Sequence, residues 1–169
     1  MARYFIFPDK DSTIYEDKGT VSRKNLNTGK DEILQLEKGV ISSTVVHNSR
    51  FLISFKTADI QDTINNVIGA NDFTASLKLF TTQNFSLGQT QSIEVFPLAE
   101  QWSNGTGHIS DQPQKTDGVS WVYRTDKNLD QQWTTSSFTT GTTGSWTGSN
   151  AGGGVWYTQS AWANVLSCK

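Results

Sequence analysis

Two aspartates near the start of the chain and six tryptophans are the residues with the most chemical potential. Asp9 and Asp11, in PDKDSTIYED, stand two apart ahead of a strand-like run. That spacing lets both carboxylates and intervening carbonyls meet one hard cation such as Ca²⁺. The commoner outcome for such a pair is a solvated turn whose carboxylates accept from local N–H groups. The expectation is therefore no metal site, with Ca²⁺ as the one cofactor this pair could take. His47 and His108 are the only histidines, and a zinc site built on them would need carboxylate help that the spacing does not offer. His108 lies in the turn-rich QWSNGTGHISDQP, which suits a solvated or backbone-bonded imidazole. Glycosidase chemistry needs two carboxylates facing across a cleft. Glu94, Glu100, Asp111 and Asp117 can be paired on paper, but 16 acidic residues supply such pairs by chance. There is no G-x-S-x-G, no P-loop and no G-x-G-x-x-G after a strand, and the glycines at 152–154 open no helix. The residues point to no enzyme and no cofactor.

The aromatic residues carry the other possibility. Trp102, Trp121, Trp133, Trp146, Trp156 and Trp162 lie in the second half of the chain. On a β-sheet such side chains fill cores, anchor subunit contacts or stack against sugar rings. Trp102, Trp133 and Trp146 are the candidates for a sugar platform, and Trp146, Trp156, Trp162, Val165 and Leu166 for a protein interface. Trp121, in DGVSWVYR, follows an Asp-Gly turn and alternates with Val119 and Tyr123. That pattern places it in a core, with Phe51, Ile53 and Leu77 as expected neighbours.

The elements that must position these side chains are strands. At 169 residues the chain suits one domain, 1–169, whose core needs neither disulfide nor metal. Period-2 alternation recurs in RYFIF (3–7), STIYE (12–16), EILQLE (32–37), RFLISF (50–55), ASLKLF (75–80), SIEVF (92–96) and VSWVYR (119–124). One helical pattern interrupts them: Ile60, Ile64, Val67 and Ile68 recur at i, i+4, i+7 and i+8, with Gly69 as a cap, predicting a short helix around 58–68. The Thr/Ser/Gly tract at 134–154 reads as a long surface loop, with Phe138 and Trp146 pinning it. The fold class expected is all-β, an antiparallel β-sandwich.

Partners are limited by charge. Fourteen basic and 16 acidic residues give a net −2, without the positive footprint of a nucleic-acid binder. No run is long enough for a signal peptide or a membrane span. Cys168 is the single cysteine, so no intrachain disulfide forms.

The order of segments from about residue 9 to 124 resembles the DNRLRE-type, carbohydrate-binding-module-like jelly-roll domains. It is carried by DKDSTIYE, NTG at 27–29, DEILQLEK, SRFLISF, ASLKLF and SIEVFPLAEQWSNGTG, whose strand ends in the corner Glu100-Gln101-Trp102. TDGVSWVYR followed by GGGVWYT is similar to the version found in tailed-phage virion proteins. The resemblance implies a jelly roll without catalysis: a structural protein of a bacteriophage particle, assembled in the host cytoplasm without a signal peptide. It would be exposed as a head-decoration, head-fibre or tail-associated module. Other virion proteins, a capsid or tail protein or further copies of the chain would be its partners, with no nucleic acid and no membrane. The runner-up is a carbohydrate-binding or host-attachment module using exposed aromatics. The family closes its sandwich with strands beyond the segment matching Val155 to Thr158. The expectation is that the chain forms the N-terminal part of a longer protein or is completed by another chain at 155–169.

Overall fold

The computed structural model describes residues 3–17, 22–41, 44–83, 91–135, 138–140, 144–148, 152–157 and 164–168. At 40–41, 44–46, 91–92, 138–140, 144–148 and 164–168 the description is of the backbone. Among the described residues eight strands form three small antiparallel sheets: β1 (Lys10–Asp17), β2 (Lys38–Ile41), β3 (Thr44–Ser54), β4 (Gln91–Val95), β5 (Phe138–Thr140), β6 (Gly144–Gly148), β7 (Val155–Tyr157) and β8 (Asn164–Cys168). Their orders are β1-β3-β2, β4-β8 and β5-β6-β7. The molecule is mostly strand and irregular loop, with one short helix.

β1 and β3 are the best-built pair, in register from Lys10 opposite Ser54 to Asp17 opposite His47. Both are rich in β-branched and aromatic residues, which suit a pleated, buried surface. Ser12, Thr13, Ile14 and Tyr15 are all buried, so β1 is covered on both faces. Its outer edge is closed by a side chain: the Thr28 hydroxyl accepts from the Thr13 N–H at 3.0 Å and donates to the Thr13 carbonyl at 2.7 Å. One hydroxyl thus takes the place of a neighbouring strand.

The core gathers Ile14, Leu52, Trp102, Val119, Trp121, Trp133 and Val155, with Leu98 and Ala99 packed against it. The inward residue of β3 is Leu52, while Phe51 and Ile53 are only partly buried. Leu77 is exposed. The expected surroundings of Trp121 are corrected accordingly, although its burial, at 3% exposure, is as the alternation suggests.

Other elements depart from the pattern. Among the described residues RYFIF, EILQLE and ASLKLF form no ladder, and VSWVYR contributes a single bridge, Tyr123 opposite Gln132. The helical pattern gives α1 (Thr57–Asp62), which widens into a π-helical turn over Thr63–Ile68. No residue of either is buried, because no described element packs against the apolar positions. The Thr/Ser/Gly tract is not one long loop: β5 and β6 fold back on each other and β6 pairs with β7. β8 follows the segment that was expected to end the sandwich and pairs with β4.

Candidate functional site

The loops between Gln101 and Trp133 hold most of the buried core with little regular structure, and a polar cradle explains how. The Asn27 amide donates to the Asn104 carbonyl at 2.7 Å and the Val119 carbonyl at 3.0 Å. Its oxygen accepts from the N–H groups of Gly107 at 2.9 Å and Gly29 at 3.3 Å. Those four bonds use the whole capacity of an amide side chain. Gly29, Gly105, Gly107 and Gly118 press around it; a Cβ on Gly118 would lie 2.5 Å from Gly105 Cα. The motifs NTG, NGTG and DG, which read as separate turns, meet here. Their glycines permit backbone to approach backbone.

Two of the three platform candidates lie inside. Trp102 is 7% exposed and Trp133 2%, so neither offers a face to a sugar. Trp133 Nε1 donates to the Ser120 carbonyl at 3.0 Å, and the Lys10 ammonium sits 5.0 Å from the Trp102 ring while donating to the Trp102 carbonyl. Core packing wins because each indole has a large apolar body and one or two polar partners to satisfy. Trp146 lies in β6, opposite Phe138 and Tyr157 in register. Of the interface candidates, Trp162 lies outside the described residues. Val165 and Leu166 lie in β8 opposite Glu94 and Ile93, and Trp156 bridges to Leu98. Within 155–169, β7 and β8 thus find strand partners in the chain itself, β6 and β4.

Arg50, on β3, lies between two of the tryptophans. Its guanidinium carbon is 4.8 Å from the Trp121 ring and 4.5 Å from the Trp156 ring, a doubled cation–π contact. Nη1 donates to the Gly153 carbonyl, and Gly153, at φ +87°, approaches the Trp121 ring too closely for any Cβ. Burial lowers the Arg50 pKa from its ordinary value, against the pull of Glu16. One face of each indole is occupied by the protein's own cation.

A second charged group sits where β1, β2 and β3 meet. Arg23 donates through Nε to Asp17 at 3.0 Å and through both terminal nitrogens to Glu37 at 3.1 and 3.2 Å. Its guanidinium also covers the Tyr15 ring at 4.4 Å. His47 Nδ1 donates to Asp17 at 2.8 Å. Burial opposes the Arg23 charge, but the bonds to Glu37 and Asp17 outweigh it and hold the pKa above its ordinary value. Burial, helped by the charge on Asp31, pushes the Tyr15 hydroxyl up to about 12. An Asp–His pair is half of a nucleophile-activating relay, yet among the described residues no hydroxyl or thiol hydrogen-bonds to His47. The cluster ties β1 and β3 to the loop at Arg23 and to the residue that leads into β2.

Four further acids bond within the loops. Asp31 accepts from the Ile109 N–H at 3.1 Å, Asp111 from the His108 N–H at 2.9 Å and Glu100 from Thr134. Asp117 accepts from the Thr106 hydroxyl at 2.7 Å and its N–H at 3.1 Å, while Glu94 is exposed on β4. Asp9 is exposed and Asp11 pairs opposite Ile53. Among the described residues no three His, Cys, Asp or Glu side chains gather where a metal ion could be held, and no helix is long and apolar enough to cross a membrane.

What the surface does offer is apolar. Tyr4, Phe5 and Phe7 project from residues 3–8, and Leu77, Leu79 and Phe80 from residues 70–83, with Phe7 80% and Phe80 87% exposed. Composition marked both runs as strands but could not indicate that they would stand bare. Comparison of the chain with family models, curated proteins and solved structures finds no match.

Proposed function

We propose that this chain is a non-enzymatic structural protein of a bacteriophage particle, built as a jelly roll and exposed as a head-decoration, head-fibre or tail-associated module. It works through protein–protein contacts. The observation that carries the reading is the pair of bare apolar segments, since six large apolar side chains concentrated in two short runs mark a contact surface. The inward turn of the chemistry-bearing residues supports it: Arg23, Asp17, Glu37 and His47 bond to one another, and Arg50 fills the space between two indoles. The segment order that resembles phage virion domains supplies the particle.

Mass-spectrometric inventory of purified particles tests this directly. Peptides of the chain should be present at a fixed stoichiometry to the major capsid or tail protein. Their absence from particles made by an infection that expresses the chain would refute the assignment. Sugar binding on a glycan array that depends on the chain's aromatics would favour the carbohydrate-binding module instead.

A further inference from the structure

RYFIF (3–7) and ASLKLF (75–80) share three properties. Both alternate as strands do, both lie outside any helix or turn, and among the described residues neither donates or accepts a backbone hydrogen bond with another segment. Bare N–H and C=O groups beside apolar side chains are the features by which one strand recruits another. Within one subunit the two segments do not cover each other, as the exposure of Phe7 and Phe80 shows.

We propose that they pair between copies of this chain. The 3–7 arm of one subunit adds as a strand to the 75–80 segment of a second, and the reciprocal pairing closes a two-fold dimer. This rests on the reading of the chain as a contact-making structural protein and names the partner. A second copy is the occupant because one chain carries both halves of the pairing. The area is also of the right size. Tyr4, Phe5, Phe7, Leu77, Leu79 and Phe80 expose roughly 700 Å² per copy, at about 200 Å² for a whole aromatic side chain. A partner in a standard stable interface contributes about 800 Å², and the main chain of the added strands supplies the remainder. A two-fold arrangement engages both segments of each copy once and leaves neither to recruit a third subunit, so the assembly closes.

The test uses the full chain with Cys168→Ser as background. Phe5→Cys and Phe80→Cys variants are oxidised with oxidised glutathione, separately and mixed. The mixture should yield a covalent dimer whose cross-linked peptide joins position 5 to position 80, and neither variant alone should match its yield. Sedimentation velocity of the unmodified chain should show a dimer at micromolar concentration. Phe80→Asp and, independently, Phe5→Asp should each raise the dissociation constant at least about tenfold with the monomer's thermal midpoint unchanged. A chain that stays monomeric, a dimer indifferent to whichever of the two aspartate variants folds, or equal cross-linking in the separate samples would overturn the pairing. A 5-to-80 cross-link in a chain missing from particles would remove the virion reading and leave the dimer. Presence in particles without the cross-link would do the reverse.

Discussion

Replacing Trp121 by Ala should cost the fold about 4 kcal/mol, and the structure shows where that figure comes from. The indole is buried among Ile14, Leu52, Val119, Trp133 and Val155, and truncating a core tryptophan loses about 3–5 kcal/mol of transfer and packing energy. One face carries the Arg50 guanidinium, a contact worth about 0.5–2 kcal/mol when partly desolvated. Trp121→Ala leaves that cation with one ring, Trp156, in place of two. For a chain of this size each kcal/mol lowers the melting midpoint by about 2–4 °C, so the variant should melt about 8–16 °C lower. Urea denaturation followed by circular dichroism measures this, and the same measurement on Arg50→Met and the double variant gives their coupling. The double variant should lose less than the sum of the singles. A Trp121→Ala protein within about 1 kcal/mol of the parent, or strict additivity with Arg50→Met, would show that the indole neither fills the core nor holds the cation.

Three further perturbations have signs worked from the geometry. Asn27→Ala strands the Asn104 and Val119 carbonyls and the Gly107 N–H, at about 1–3 kcal/mol for each group left unpaired, so it should cost at least about 3 kcal/mol on chemical denaturation. Tyr15 stays neutral in the folded state to about 12; its stabilising effect is complete below the unfolded value of about 10 and disappears as pH rises through the folded one. Stability should therefore fall between those values, and tyrosinate difference absorbance should show Tyr15→Phe removing part of that fall. Burial works against the Asp117 charge, but hydrogen bonds from Thr106 and its own N–H, with Lys115 nearby, outweigh it and hold the pKa below the usual range. Its stabilisation is present above about 3.9 and lost as pH drops through the folded value, so Asp117→Asn should flatten the acid limb of a melting-point titration.

Strand periodicity was informative where a partner strand lay in the same chain. STIYE, RFLISF and SIEVF sit in β1, β3 and β4, but ASLKLF has the same alternation and no ladder. A period of two says that a segment can pleat, whereas its pairing depends on residues far away in sequence. The expectation of Phe51 and Ile53 beside Trp121 fails for the same reason. Phe51 and Ile53 outweigh Leu52 in bulk, yet the register with β1 turns Leu52 into the core. The Thr/Ser/Gly tract hid two strands because main-chain ladders need no apolar side chain to form. Trp102 and Trp133 were ambiguous since an indole serves a core and a binding face equally well. The Asn27 cradle did have a signal, four glycines in NTG, NGTG and DG, but each motif viewed alone predicts only a local turn.

The contacts that define the core also constrain its assembly in time. Asn27 reaches across 92 positions to Val119, and Arg50 across 103 to Gly153. Loop-closure entropy must be overcome before such distant contacts reward the chain, and topologies of this kind fold over milliseconds to seconds. On the ribosome the Arg50 side chain would leave the exit tunnel several seconds before Gly153 is synthesised, at about 5–20 residues per second. During that interval β3 has neither indole beside its guanidinium, and the nascent protein must hold an unfinished interior. Refolding rates should therefore depend more on Gly153 and its neighbours than on the well-paired β1 and β3.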